Sequence, residues 1–128
     1  VFPQMSYLDE IHAEAPNATF VITFRDIQDW TKSIQHWAPK GKGTMASRIK
    51  ECDLPGLPRG TGDTTDELAG WWCQQVNRVR NFVNDHPSHV LIELDLYDTD
   101  YNAELMSRLF QTDAKCWGHA NANPKLVD

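Results

Sequence analysis

The sequence predicts an α/β fold, and three observations predict it. Residues 19–24, Thr-Phe-Val-Ile-Thr-Phe, are β-branched and aromatic side chains suited to a strand. Residues 89–96 form a second such run, continuously apolar at first and then alternating. Between them Leu68, Trp72, Val76, Val79 and Val83 recur at helical spacing. Strands separated by helices of this kind make up α/β units. The 128 residues read as one domain.

Residues 2–15 open the chain as a helix. Pro3 suits a first turn, where its missing N–H costs nothing, and Tyr7, Leu8, Ile11 and Ala15 share one face. Pro16 and Asn17 end this helix and turn the chain into the first strand. That strand is nearly all apolar and reads as buried on both faces. Asp26 follows as an N-cap, and Ile27, Trp30, Ile34 and Trp37 mark one face of the next helix. Residues 38–64 are rich in Gly, Pro and Lys and read as a long loop holding a short helix at 45–51.

Thr64 or Thr65 caps the longest helix, residues 65–85. Asp66 and Glu67 sit in its first turn, where the helix dipole favours negative charge. Trp71 and Phe82 widen its apolar stripe, while Arg78 and Arg80 fall outside it in solvated or salt-bridged positions. His86-Pro87-Ser88 breaks the helix ahead of the second strand. Residues 102–110 form a last short helix burying Leu105, Met106, Leu109 and Phe110. The tail from Cys116 has little regular structure.

The candidate chemistry gathers at residues 19–37. Arg25 stands at the strand's C-terminal edge, where open α/β sheets bind ligands. A helix N-terminus offers N–H donors and partial positive charge to an anion. The Arg25 guanidinium is a planar fork suited to phosphate. Ser33 lies about two turns into the helix, beside the apolar stripe, with its hydroxyl in reach of the same anion. Arg59-Gly60-Thr61-Gly62 offers a further phosphate cradle, without the spacing or the Lys-Ser/Thr ending of a true phosphate loop.

Glu93 and Asp95 share a strand face. They are either a carboxylate pair for acid–base work or, the preferred reading, a strand end meeting solvent or lysines. His12 reads as a surface or interface histidine in preference to a catalytic base. The acidic stretch 95–104 lacks the central glycine and the spacing of a calcium loop.

Composition narrows the partners. Net charge is −6, against general nucleic-acid binding. The charge is uneven: residues 25–59 hold seven Lys or Arg and four Asp or Glu, while the remainder holds five and fourteen. A local basic zone on an acidic chain suits one small polyanion. No apolar run approaches the roughly 20 residues of a membrane span. Cys52, Cys73 and Cys116 match no zinc spacing and leave two options, one disulfide with a free thiol or three buried thiols. Asn17-Ala18-Thr19 is a formal glycosylation sequon at the start of the strand. Sequon and cysteines together lean towards a secretory compartment.

The pattern Arg25-Asp26-x-x-x-Trp30-x-x-Ser33 after a strand resembles the 3′-phosphate-binding element of sulfotransferases. The family form carries Pro after Arg-Asp, whereas this chain has Ile27. The order helix, His-Pro-Ser, apolar strand, acidic turn, helix, Cys-Trp-Gly is similar to the C-terminal half of the secretory, carbohydrate-modifying members. The resemblance implies part of a P-loop-like parallel sheet flanked by helices. It also implies a nucleotide co-substrate, 3′-phosphoadenosine-5′-phosphosulfate (PAPS) or its product PAP, a hydroxyl acceptor, and no metal. Arg25 and Ser33 would bind the 3′-phosphate, with Arg59 a more distant contact, and the compartment would be the Golgi lumen.

The family holds the 5′-phosphosulfate with a Gly/Ser/Thr-rich strand–loop–helix that no residue before Arg25 provides, and its usual base also precedes that element. The chain is therefore expected to correspond to a partial domain lacking the phosphate-loop half, with no assigned catalytic residue and no turnover by itself. Two readings follow. One is an enzyme moving a sulfuryl group from PAPS to a hydroxyl, with a carbohydrate as the acceptor to test. The other is a non-catalytic sulfotransferase-like binding subunit whose open sheet edge is covered by protein partners.

Overall fold

A computed structural model describes residues 7–36 and 45–118. The predicted helix residues before Tyr7, Trp37 with Lys40 and Lys42, and the tail from His119 lie outside the described residues. The described elements are α1 (Leu8–Glu14), β1 (Thr19–Phe24), α2 (Ile27–His36), α3 (Met45–Glu51), α4 (Thr65–Asp85), β2 (Val90–Asp95), α5 (Thr99–Phe110) and a 3-10 turn at Ala114–Cys116. The chain divides into two compact units, Val1–Glu93 and Leu94–Asp128.

β1 and β2 pair as a two-stranded sheet. Their starts meet: His89 Nδ1 donates to the Ala18 carbonyl at 2.9 Å, and the Ser88 hydroxyl donates to the Pro16 carbonyl. Start beside start makes the strands parallel, as the intervening helices require. One expectation is corrected here. β1 is not buried on both faces. Phe20, Ile22 and Phe24 are half-buried, while Thr19, Val21 and Thr23 are exposed. Phe20 packs edge-on against Phe82 and Phe24 against Trp72, so α4 covers one face only. Two of the three residues on the open face are threonines, which tolerate water.

The core of the first unit lies between α2, α3 and α4. Ile34, Ile49, Leu57, Leu68 and Trp71 are buried together, with Trp30, Ala46 and Leu54 packed on them. Leu68 is fully enclosed, worth about 1.5–3 kcal/mol of transfer free energy. Leu57 reaches this core through a tight reversal. Leu54 and Leu57 exchange two backbone hydrogen bonds around Pro55 and Gly56, the latter at φ 80°.

The Pro55 carbonyl then accepts from Trp71 Nε1 at 3.1 Å and Gln75 Nε2 at 2.7 Å. This pair ties the Gly/Pro-rich segment to α4. It also satisfies a buried glutamine on an otherwise apolar stripe.

In the second unit α5 begins at Thr99, three residues earlier than expected, because Asp98 caps it by accepting from Tyr101 N–H. Asn102 is fully buried and donates from Nδ2 to the Asp95 carbonyl at 2.6 Å. Leu109 and Phe110, expected to be buried, are about half exposed. They occupy the last turn, just before Gln111 leaves the helix in a left-handed conformation.

Candidate functional site

Arg25 directly follows β1, at the carboxyl end of the parallel pair. It is half-buried, and its Nε is enclosed with no hydrogen-bond partner. A buried, unpaired guanidinium N–H costs about 1–3 kcal/mol unless something accepts from it. Asp26 then sets the start of α2: its Oδ1 accepts from Gln28 N–H at 2.8 Å and Asp29 N–H at 3.1 Å, and its carbonyl accepts from Trp30 N–H. Asp26 thus caps α2 as the sequence predicts. Its carboxylate occupies two of the N–H donors at this helix start.

Ser33 lies in α2 and is half-buried. From Ile27 to Ser33 the helix rises roughly 9 Å. Trp30 anchors α2 to α4 through Trp71 and Trp72 at ring separations of 6.4 and 6.5 Å, and Ile34 is buried in the same cluster as Trp71. The helix carrying Ser33 is thus held by the core.

The Arg59 segment is organised differently from the cradle expected of it. Gly60 N–H donates to the Lys50 carbonyl at 2.8 Å, and Thr61 N–H to the Pro58 carbonyl at 3.1 Å. Gly62, Asp63 and Thr64 N–H all converge on Glu67 Oε2, at 3.0, 3.0 and 3.2 Å. Thr64 Oγ accepts from Glu67 N–H and completes a capping box. These donors hold Glu67 below the usual carboxylate range. The loop does cradle an anion, and that anion is its own glutamate. Arg59 is exposed on this turn, with no hydrogen bond or ion pair among the described residues.

Glu93 and Asp95 do not act as a pair. Glu93 is clasped by Arg80, and Asp95 Oδ1 accepts from Tyr97 N–H at 2.9 Å in the following turn. His12 is half-buried and joins His86, His89, Phe20 and Phe82 over the strand starts, the opposite end of the sheet from Arg25. His12, His86 and His89 come from separate parts of the chain, and nothing in their spacing signals that they meet. All three cysteines are free and exposed, so neither the disulfide nor the buried-thiol option holds. Among the described residues no helix is long and apolar enough to cross a membrane, and no group of His, Cys, Asp and Glu is arranged to hold a metal.

Comparison with known proteins gives one positive finding. Residues 1–100 match the family model described as a sulfotransferase domain. No curated protein and no solved structure matches the chain.

Proposed function

The chain belongs to the sulfotransferase domain family, and from that premise we propose that it takes part in moving a sulfuryl group from PAPS to an acceptor hydroxyl. In this reading Arg25 donates to the 3′-phosphate of the nucleotide from the carboxyl end of β1, and the Ser33 hydroxyl supplies a second contact. Arg59 is at most a peripheral one, since its loop spends its backbone donors internally. The observation that carries the reading is the enclosed, unpartnered Nε of Arg25. A phosphate oxygen would satisfy it with a charge-assisted bond, stronger than a neutral one.

Transfer itself makes a bond from the acceptor oxygen to sulfur, breaks the bond from sulfur to the 5′-phosphate, and sends the hydroxyl proton to a base. A clamp on the phosphosulfate and that base complete the chemistry, and none of the described residues is assigned to either task.

Calorimetry with adenosine 3′,5′-bisphosphate tests the proposal. Wild type is expected to bind with Kd on the order of micromolar, and Arg25→Ala to weaken binding roughly tenfold to hundredfold. No binding by a folded wild-type chain would favour a non-catalytic binding subunit instead.

A further inference from the structure

Over the starts of β1 and β2, three imidazoles close into one cluster. His12 Nδ1 and His89 Nε2 are 2.9 Å apart. His89 is 5% exposed and donates its Nδ1 proton to the Ala18 carbonyl. Its Nε2 is therefore the acceptor in the neutral ring, and the proton between the two rings belongs to His12. His86 donates from Nδ1 to the Phe82 carbonyl at 2.9 Å and stacks on the Phe82 ring at 4.2 Å. The His12 ring lies 4.4 Å from that of His86 and 5.1 Å from that of His89.

We propose that this cluster is an acid-released latch, which docks α1 onto the strand starts while His12 and His89 share at most one added proton and frees it when they hold two. One added proton is accommodated. His89 then donates from both nitrogens, and His12 accepts at Nδ1 in its other tautomer. A second is not, because both facing nitrogens would carry hydrogen at the 2.9 Å contact and two cations would meet.

Other groups do not neutralise this charge by contact. Asp9, Glu10 and Glu14 of α1 and Asp85 of α4 are exposed, Arg78 of α4 is half-buried, and Arg80 pairs with Glu93. None of these groups forms an ion pair with any of the three rings among the described residues. α1 is also held by Leu8, which is 3% exposed, so the histidine contact adjusts its docking on top of that apolar tie.

Hydrogen exchange tests the latch on the 128-residue chain. After correction for intrinsic rates, α1 amides should exchange about tenfold faster, relative to α4, at about pH 5 than at about pH 7.5. His12→Gln can still donate to His89 Nε2 but cannot become charged, and its α1 exchange should not change with pH. Equal α1 protection of wild type at both pH values would overturn the latch, as would an equal response in His12→Gln. Should that variant not fold, ring-nitrogen NMR of wild type decides. A second proton entering the His12–His89 pair while α1 stays protected overturns the proposal, and its entry together with α1 exchange supports it.

Discussion

Arg80 and Glu93 meet fork to fork across α4 and β2, Nε to Oε1 at 2.6 Å and Nη2 to Oε2 at 3.1 Å. The same guanidinium lies 5.5 Å from the centroid of the Phe24 ring, at the end of the neighbouring strand. One side chain thereby ties the helix to both strands near their carboxyl ends, the end that presents Arg25.

The Arg80 hydrogen bond draws Glu93 below the usual carboxylate range, and Glu93 raises Arg80 in return. A carboxylate lowered in the folded state contributes stability above its unfolded value of about 4.3 and loses it as pH falls through the folded value. Both side chains are partly open to solvent, at 46% and 36% exposure, so screening keeps the coupling to about 0.5–1 kcal/mol. A double-mutant cycle with Arg80→Ala and Glu93→Gln, read by urea denaturation, should give that coupling near neutral pH. It should shrink as pH falls through the lowered Glu93 value. A coupling unchanged in acid would show that it does not depend on the ionised carboxylate.

The cap of α4 makes a second acid-sensitive contribution. Glu67 is lowered by the backbone N–H groups of Thr64, Gly62 and Asp63, and those bonds weaken once it is protonated. Stability from this cap is present above the ordinary carboxylate range and falls as pH drops through the lowered value. Thr64→Ala removes the reciprocal half of the box and should cost about 1 kcal/mol at neutral pH. Glu67→Gln should destabilise near neutral pH and flatten the acid limb of the stability profile. An unchanged acid limb would remove Glu67 from the account.

Two glycines in the same loop separate backbone strain from crowding. Gly60 and Gly62 both have positive φ, 89° and 96°. A Cβ at Gly60 meets nothing within 4 Å, whereas one at Gly62 would lie 3.1 Å from Ile49 Cγ2 in the core. Gly60→Ala should cost only the strain, about 1–2 kcal/mol, and Gly62→Ala about 1 kcal/mol more. Urea midpoints of the two variants give the order, and a reversed order would mean that the loop relaxes away from Ile49.

How far the sequence anticipates this structure depends on whether the relevant force is local. The helix of residues 65–85 is legible because its period, its cap and its breaker all lie within the segment. Gln75 interrupts the stripe that starts at Leu68 and so carries a signal of its own, a polar group on a buried face needing a partner. That the partner is the Pro55 carbonyl depends on a turn 20 residues away. The two-sided burial expected of β1 failed because composition reports apolarity and not which neighbours exist. Thr19 and Thr23 on one face were the local hint. The loop at Arg59 was legible as an anion cradle, but its occupant, Glu67, was read only as a charge near a helix dipole. The meeting of His12, His86 and His89 was illegible, since it joins residues from separate elements through tertiary packing alone.

The phosphate reading of Arg25 makes its sharpest prediction in the ranking of conservative variants. Arg25→Lys keeps the charge but replaces a planar fork, whose Nε is enclosed, with a single ammonium on a longer stem. If the enclosed Nε donates to a phosphate oxygen, the lysine variant should lose about tenfold or more in affinity for adenosine 3′,5′-bisphosphate. Ser33→Ala removes one neutral hydrogen bond and should lose roughly threefold to tenfold. Arg59→Ala should lose less than about threefold, because an exposed cation acts on the anion only through screened attraction. Adenosine 5′-phosphate, which lacks the 3′-phosphate, should bind weakly to wild type and be nearly indifferent to all three changes. The same loss for both nucleotides in Arg25→Lys would place Arg25 at some other part of the ligand, and a dominant effect of Arg59→Ala would move the anion from the strand end to the loop.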